Sequence, residues 1–217
     1  MPSFVDPIVA VSLSANGRTG LTLFAQPWED ADGEEWQGFL GDGAKIVLLG
    51  TPDELNTWLG DNPDHDLADH PAWPSFVNQG KRALTPPEGA HYDFDRVYEL
   101  AAAEPSAETV SELADTVDMA ARIADCCEDG KLRSLLTGTR EYALLVEGDT
   151  GYSGKDGSAE WSALGDVIAG SWERALARIE TWLRWEGSSA VPVQPEDSAA
   201  DDGAVDDGAE DSDAEPN

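Results

Sequence analysis

The densest run of ligand-type side chains is His65-Asp66-Leu67-Ala68-Asp69-His70. On a helix, His65 and Asp69, or Asp66 and His70, would share a face four residues apart. Two imidazoles with a carboxylate form a donor set for a transition metal. Pro63 and Pro71 flank the run and work against a full helix. The competing reading is a loop in which an Asp caps a turn and His70 packs by Trp73. A second run, Asp149 to Glu160, partly matches a calcium loop. With Asp149 at position one, Ser153 falls at five, Gly154 at six and Glu160 at twelve. Gly151 brings no side-chain oxygen to position three, and Asp156 stands where an aliphatic residue is usual, so a glycine-rich surface connection suits the run better. The same loop sets Gly148, Gly151, Gly154 and Gly157 around Lys155 ahead of a helix, as in a phosphate cradle. Asp149 and Asp156 break the Walker pattern there and would repel phosphate.

No nucleophile stands out. Neither G-x-S-x-G nor a Cys–His pairing is recognisable, and three histidines offer little acid–base capacity. No catalytic residue and no cofactor is assigned. Of the eight tryptophans, Trp58, Trp161 and Trp172 lie on apolar helical stripes and read as core anchors. Trp28, Trp36 and Trp185 are open to an exposed binding role, with Trp28 and Trp185 taken as the partner-binding candidates, although a core role is the stronger expectation for each. Cys126 and Cys127 are adjacent, a spacing that forms no ordinary disulfide and suits a reducing compartment.

These residues need a scaffold, and the pattern predicts an α+β protein. Ile8 to Leu13 and Leu21 to Ala25 read as a hairpin about Asn16-Gly17. Trp36 to Leu40 and Lys45 to Leu49 complete a four-stranded antiparallel meander. Thr51, Pro52 and Glu54 open a helix with a capping box, and Leu55, Trp58 and Leu59 face the sheet. Residues 61–92 are loop-rich, with a boundary near Pro86-Pro87. Beyond it the chain is mainly helical. Asp93, Ser106 and Ser158 open helices, Leu132, Leu135 and Leu136 mark a short one, and a last stripe runs from Trp161 through Leu183. Gly165 and Gly170 are places where that last helix would bend or split. For Tyr142 to Val146, periodicity leaves strand and helix open. The expected organisation is an α+β unit at 1–87, a mainly helical unit at 88–190, and a disordered acidic tail at 191–217.

Charge restricts the partners. The 13 Lys and Arg face 44 Asp and Glu, a net charge of −31. Ten of the acids lie between Glu196 and Asn217, with no base, and subtracting them still leaves −21 on the rest. Such a tail cannot bury enough apolar surface to offset its ordering entropy. The surface repels nucleic-acid phosphates and anionic lipid, so direct nucleic-acid or membrane binding is not expected. No basic leader and no long apolar run is present, and the longest aliphatic run is Ile46-Val47-Leu48-Leu49. A cytoplasmic location is expected.

The segments Glu34-Glu35-Trp36-Gln37-Gly38-Phe39-Leu40-Gly41, Asp66-Leu67-Ala68-Asp69-His70-Pro71-Ala72-Trp73 and Glu160-Trp161-Ser162-Ala163-Leu164-Gly165 resemble an actinobacterial family whose members often carry the label "primosomal protein". The label implies replication restart, but the chain shows no helicase motif and no basic face for DNA. Where that family's pattern has Asn, this chain has His65.

The leading functional expectation is a non-enzymatic interaction protein whose acidic surface engages a basic protein partner. The alternatives are a metal-dependent enzyme or calcium-responsive module, and a DNA mimic that blocks a nucleic-acid-binding protein.

Overall fold

The computed structural model describes residues 6–29, 33, 35–147, 152 and 154–187. β1 (Ile8–Ala15) and β2 (Arg18–Glu29) form a hairpin in the register Ile8↔Ala25 to Ala15↔Arg18. Its turn, Asn16-Gly17, has φ of 51° and 70°, the left-handed pair that a two-residue hairpin requires. The Asp95 carboxylate accepts both turn amides at 2.7 Å.

β3 (Glu35–Phe39) and β4 (Ile46–Leu49) both run antiparallel to β2, one after the other along its length. Between them residues 41–45 leave the sheet as a short excursion, closed by a bridge from Gly41 to Ile46. The C-terminal part adds two strands. β5 (His91–Asp93) lies parallel to β1, and β6 (Leu183–Glu186) lies parallel to β4. The sheet order is β5-β1-β2-β4-β6, and among the described residues β3 pairs with β2 alone. The two parts of the chain thus share one sheet.

The helices are α1 (Pro52–Asp61), α2 (Trp73–Asn78), α3 (Val97–Ala102), α4 (Ala107–Cys126), α5 (Gly130–Thr137), α6 (Arg140–Glu147) and α7 (Gly154–Trp182). Their starts follow cap chemistry. Thr51 accepts the Glu54 amide at 3.2 Å and Ser106 accepts that of Thr109 at 3.0 Å. Tyr142 to Val146 is helix, within α6. Gly165 and Gly170 do not split α7. Gly165 faces the end of α3, where an added Cβ would lie 3.7 Å from the Ala101 carbonyl, an ordinary contact distance. Trp172 and Trp161 donate their indole N–H groups to the Phe94 and Ala103 carbonyls, each at 2.9 Å, and so pin the long helix to the start and end of one segment.

Leu183 corrects the sequence reading. The apolar stripe carries helix through it, but the helix stops at Trp182 and Leu183 begins β6. Four residues are too few to show a strand period, and the parallel partner lies far away in sequence.

Both faces of the sheet are covered. Ile8, Ala10, Leu23 and Val47 pack with Leu55, Trp58, Leu67 and Phe76 on one side. Val9, Val11, Leu13, Phe24 and Leu48 pack with the apolar stripes of α3 to α7 on the other. Burial on both faces explains why β1 is apolar at nearly every position. Asp149 and the tail at 191–217 lie outside the described residues.

Candidate functional site

The side of β3 away from β2 opens into a cleft of about 670 Å³. Its first wall is built by β2 and β3. A bulge in β2 between Ala25 and Trp28 shifts the register, so that Trp28 stands opposite Trp36. Bulges re-aim side chains in this way. The two indoles lie 6.4 Å apart and near-parallel, at 27°. Trp36 is 53% exposed, so this stack presents aromatic surface to the cleft rather than to the core. The His70 ring meets Trp28 edge-on at 5.1 Å.

The second wall is the loop after α1. His65 is buried, 4.4 Å edge-on from Trp73 and 6.3 Å from Trp58. Its Nδ1 accepts the Leu67 amide at 3.2 Å, and the His70 Nδ1 accepts that of Ala72 at 3.1 Å. Both histidines therefore serve as turn acceptors, and burial lowers the pKa of each. Asp66 fastens the 41–45 excursion. Its amide donates to the Gly41 carbonyl at 3.2 Å, and its carboxylate accepts from Gly43. An added Cβ at Gly41 would lie 2.2 Å from Asp66 Oδ2, so a side chain there would displace the Asp66 carboxylate. Burial, and then the neighbouring Asp42 carboxylate, push the Asp66 carboxyl above its ordinary range. Asp69 is exposed and lines the cleft.

This arrangement departs from the metal reading of His65, Asp66, Asp69 and His70. Among the described residues no group of three His, Cys, Asp or Glu is placed to hold a metal ion. Each imidazole is turned to a different tryptophan and spends one nitrogen on its own turn. The calcium reading also changes. Positions six to twelve of that loop, Gly154 to Glu160, are the first turns of α7, and Glu160 accepts from Arg140 at 3.3 Å.

The third wall comes from the ends of α4 and α7, with Cys126, Cys127, Glu128 and Trp182, and with Lys45 from the excursion. Glu128 has φ of 50°, the left-handed position of a helix C-terminus that usually takes glycine. The next residue, Asp129, is buried and organises the wall. It caps α5 through the Lys131 and Leu132 amides, takes a bidentate Arg178, and accepts the Trp182 indole N–H at 2.8 Å. Burial alone would raise the pKa of Asp129, but the hydrogen bonds from Arg178, Leu132 and Trp182 bring it down to about 2. The Lys45 ammonium sits over Trp182 at 5.5 Å and donates to the Thr181 carbonyl. Burial, and then the adjacent thiol, push Cys126 up to about 12; burial and Asp129 push Cys127 up to about 11. Both thiols are free and protonated at neutral pH.

The sequence matches the SatS C-terminal domain over residues 8–180. The chain belongs to that family. The SatS C-terminal domain match takes in β1 through most of α7, and with them Trp28, Trp36, Asp66, His70 and Glu128; Trp182 lies just beyond it. A solved structure, "The crystal structure of SatS c-terminal domain in complex with bromine", is 24% identical, covering 83% of this chain and 94% of that chain at a TM-score of 0.59. That likeness is one of fold. No curated protein matches the sequence.

Of the partner-binding candidates, Trp28 lines the cleft and Trp185 does not. Trp185 lies in β6 beneath the Arg18 guanidinium, 4.5 Å from the ring, and packs against Gly20. Sequence reasoning missed Trp182, Asp129 and the two cysteines as wall residues. The signal available for Asp129 was its place before Gly130 at a helix break; nothing local pointed to Trp182. No helix among the described residues is long and apolar enough to cross a membrane.

Proposed function

We propose that this chain is a non-enzymatic binding protein that holds a basic protein partner through its acidic surface, with the tryptophan-lined cleft as the point of contact. The observation that carries this reading is the cleft's composition. It joins the Trp28–Trp36 stack, half-buried at Trp28 and exposed at Trp36, to three carboxylates, Asp66, Asp69 and Glu128. The one lysine there, Lys45, already donates to Thr181. Aromatic anchors in a desolvated pocket supply short-range affinity, and basic side chains complement the acidic rim. The −31 net charge steers such a partner from a distance. Free, adjacent Cys126 and Cys127 support a reducing, cytoplasmic setting.

The test is a pull-down from native cytoplasm at low and high salt, comparing the unaltered chain with Trp28→Ala/Trp36→Ala. Capture of basic proteins that is lost in the double variant and weakened by salt supports the reading. Capture that is equal with both chains, or that yields acidic proteins, overturns it.

A further inference from the structure

β3 is an edge with no strand on its outer side among the described residues. The ladder fixes which of its groups are free. The Leu40 amide donates to Leu23, so Leu40 and, by alternation, Gly38 and Trp36 turn their backbone groups to β2. Gln37 and Phe39 therefore turn their N–H and C=O groups outward. Among the described residues, the neighbouring sheet position is occupied farther down, where β6 starts beside Ile46 at Leu183. Trp182 and Lys45 close that end, and the position beside β3 is the cleft itself.

We infer that the cleft takes an extended segment of the partner, added as a strand along the free edge of β3 and in line with β6. This rests on the binding role proposed above and names its mode. The cleft reaches both faces of the sheet edge. Gly38 faces Leu67, 3.5 Å from an added Cβ, on the side of Trp28, Trp36 and His70. Gln37 faces α4, where it accepts from Arg122 at 3.0 Å, on the side of Cys126 and Trp182. Successive side chains of an added strand point to opposite faces. The occupant is therefore an extended peptide whose apolar side chains enter the two sides alternately. Its flanking Lys or Arg residues lie by Asp66, Asp69 and Glu128. Backbone pairing supplies affinity and the two pockets supply selectivity, as in other strand-addition sites. An exposed edge strand left unblocked is otherwise an aggregation hazard.

The test uses a short synthetic peptide of alternating leucine and serine with lysine at both ends. Binding is read by tryptophan fluorescence, and amide hydrogen exchange is read at Gln37 and Phe39. The expected result is binding with slowed exchange at both amides. N-methylation of the peptide along one edge should weaken binding roughly tenfold or more, while methylation along the other edge should not. Gln37→Pro removes one outward N–H without touching the bonds to β2 and should weaken binding similarly. Gln37→Ala keeps that N–H, so a larger loss in Gln37→Pro than in Gln37→Ala isolates the backbone group from the side chain. The peptide measurement needs no variant, so a misfolded Gln37→Pro leaves the test intact. No binding of the peptide, or binding that neither slows those amides nor responds to N-methylation, overturns strand addition. The binding role itself then stands or falls on the Trp28→Ala/Trp36→Ala capture.

Discussion

The Trp182 indole donates its N–H to the buried Asp129 carboxylate at 2.8 Å, joining the end of α7 to the start of α5 across one wall of the cleft. The same carboxylate holds Arg178 one turn earlier on α7. Truncating Asp129 leaves a partly buried guanidinium and two α5 amides without their acceptor. Asp129→Ala should lower stability by about 3–5 kcal/mol, measured by urea unfolding. It should also shift the Trp182 emission, because the ring loses its anchor. An unfolding midpoint equal to that of the unaltered chain would show that the network adds nothing.

Acid should act through the same residue. The pKa of Asp129 is depressed to about 2 from an ordinary value near 4. Its contribution is complete above the unfolded pKa and is lost as pH falls through the folded one. The shift corresponds to roughly 2–3 kcal/mol. Stability of the unaltered chain should drop between about pH 4 and pH 2, and Asp129→Asn should flatten that part of the profile.

His65 sets a second pH window of the same sign, because the fold again favours the deprotonated form. Burial lowers its pKa, so the folded state holds the neutral ring. Unfolding releases a ring that binds a proton more readily, and stability falls as pH drops below the ordinary histidine range near 6.5. His65→Asn keeps an acceptor for the Leu67 amide and removes the titration. Its stability should change less than that of the unaltered chain between pH 7 and pH 5, as followed by thermal melts. His70 shifts the same way and sits by Trp28, so fluorescence of that tryptophan separates the two.

Trp36 and Trp172 should separate binding from folding. Trp36 is half-exposed, and Trp36→Ala should cost less than about 1 kcal/mol of stability. It should weaken partner binding by about 2 kcal/mol or more if the stack is an anchor. Trp172 is fully buried and bonded to Phe94. Trp172→Ala should cost about 3–5 kcal/mol, seen as a lower melting temperature.

Thiol labelling gives an independent readout of the cleft. Cys126 and Cys127 are protonated and partly covered, so iodoacetamide at neutral pH should react far more slowly than with free thiols. Denaturant should restore the rate. Labelling as fast as a free thiol in the folded chain would contradict the burial that raises both groups.

Much of the scaffold was legible before folding. Asn16-Gly17, the Thr51 box and the Ser106 cap are local codes, because each satisfies backbone groups within a few residues. Apolar stripes of period 3.6 marked α4 and most of α7, since one face of each meets the sheet. The sequence also determined the acidity. Only the tertiary structure decided the cleft. The parallel placement of Leu183 beside Ile46 and the Asp129–Trp182 bond join residues far apart in the chain, and the bulge that sets Trp28 opposite Trp36 has no local sequence code. The histidine run shows the same limit: spacing alone offered His65 and His70 as ligands. Burial against Trp73 and packing on Trp28 turned them into turn acceptors, because a chain segment cannot specify which surface will cover it.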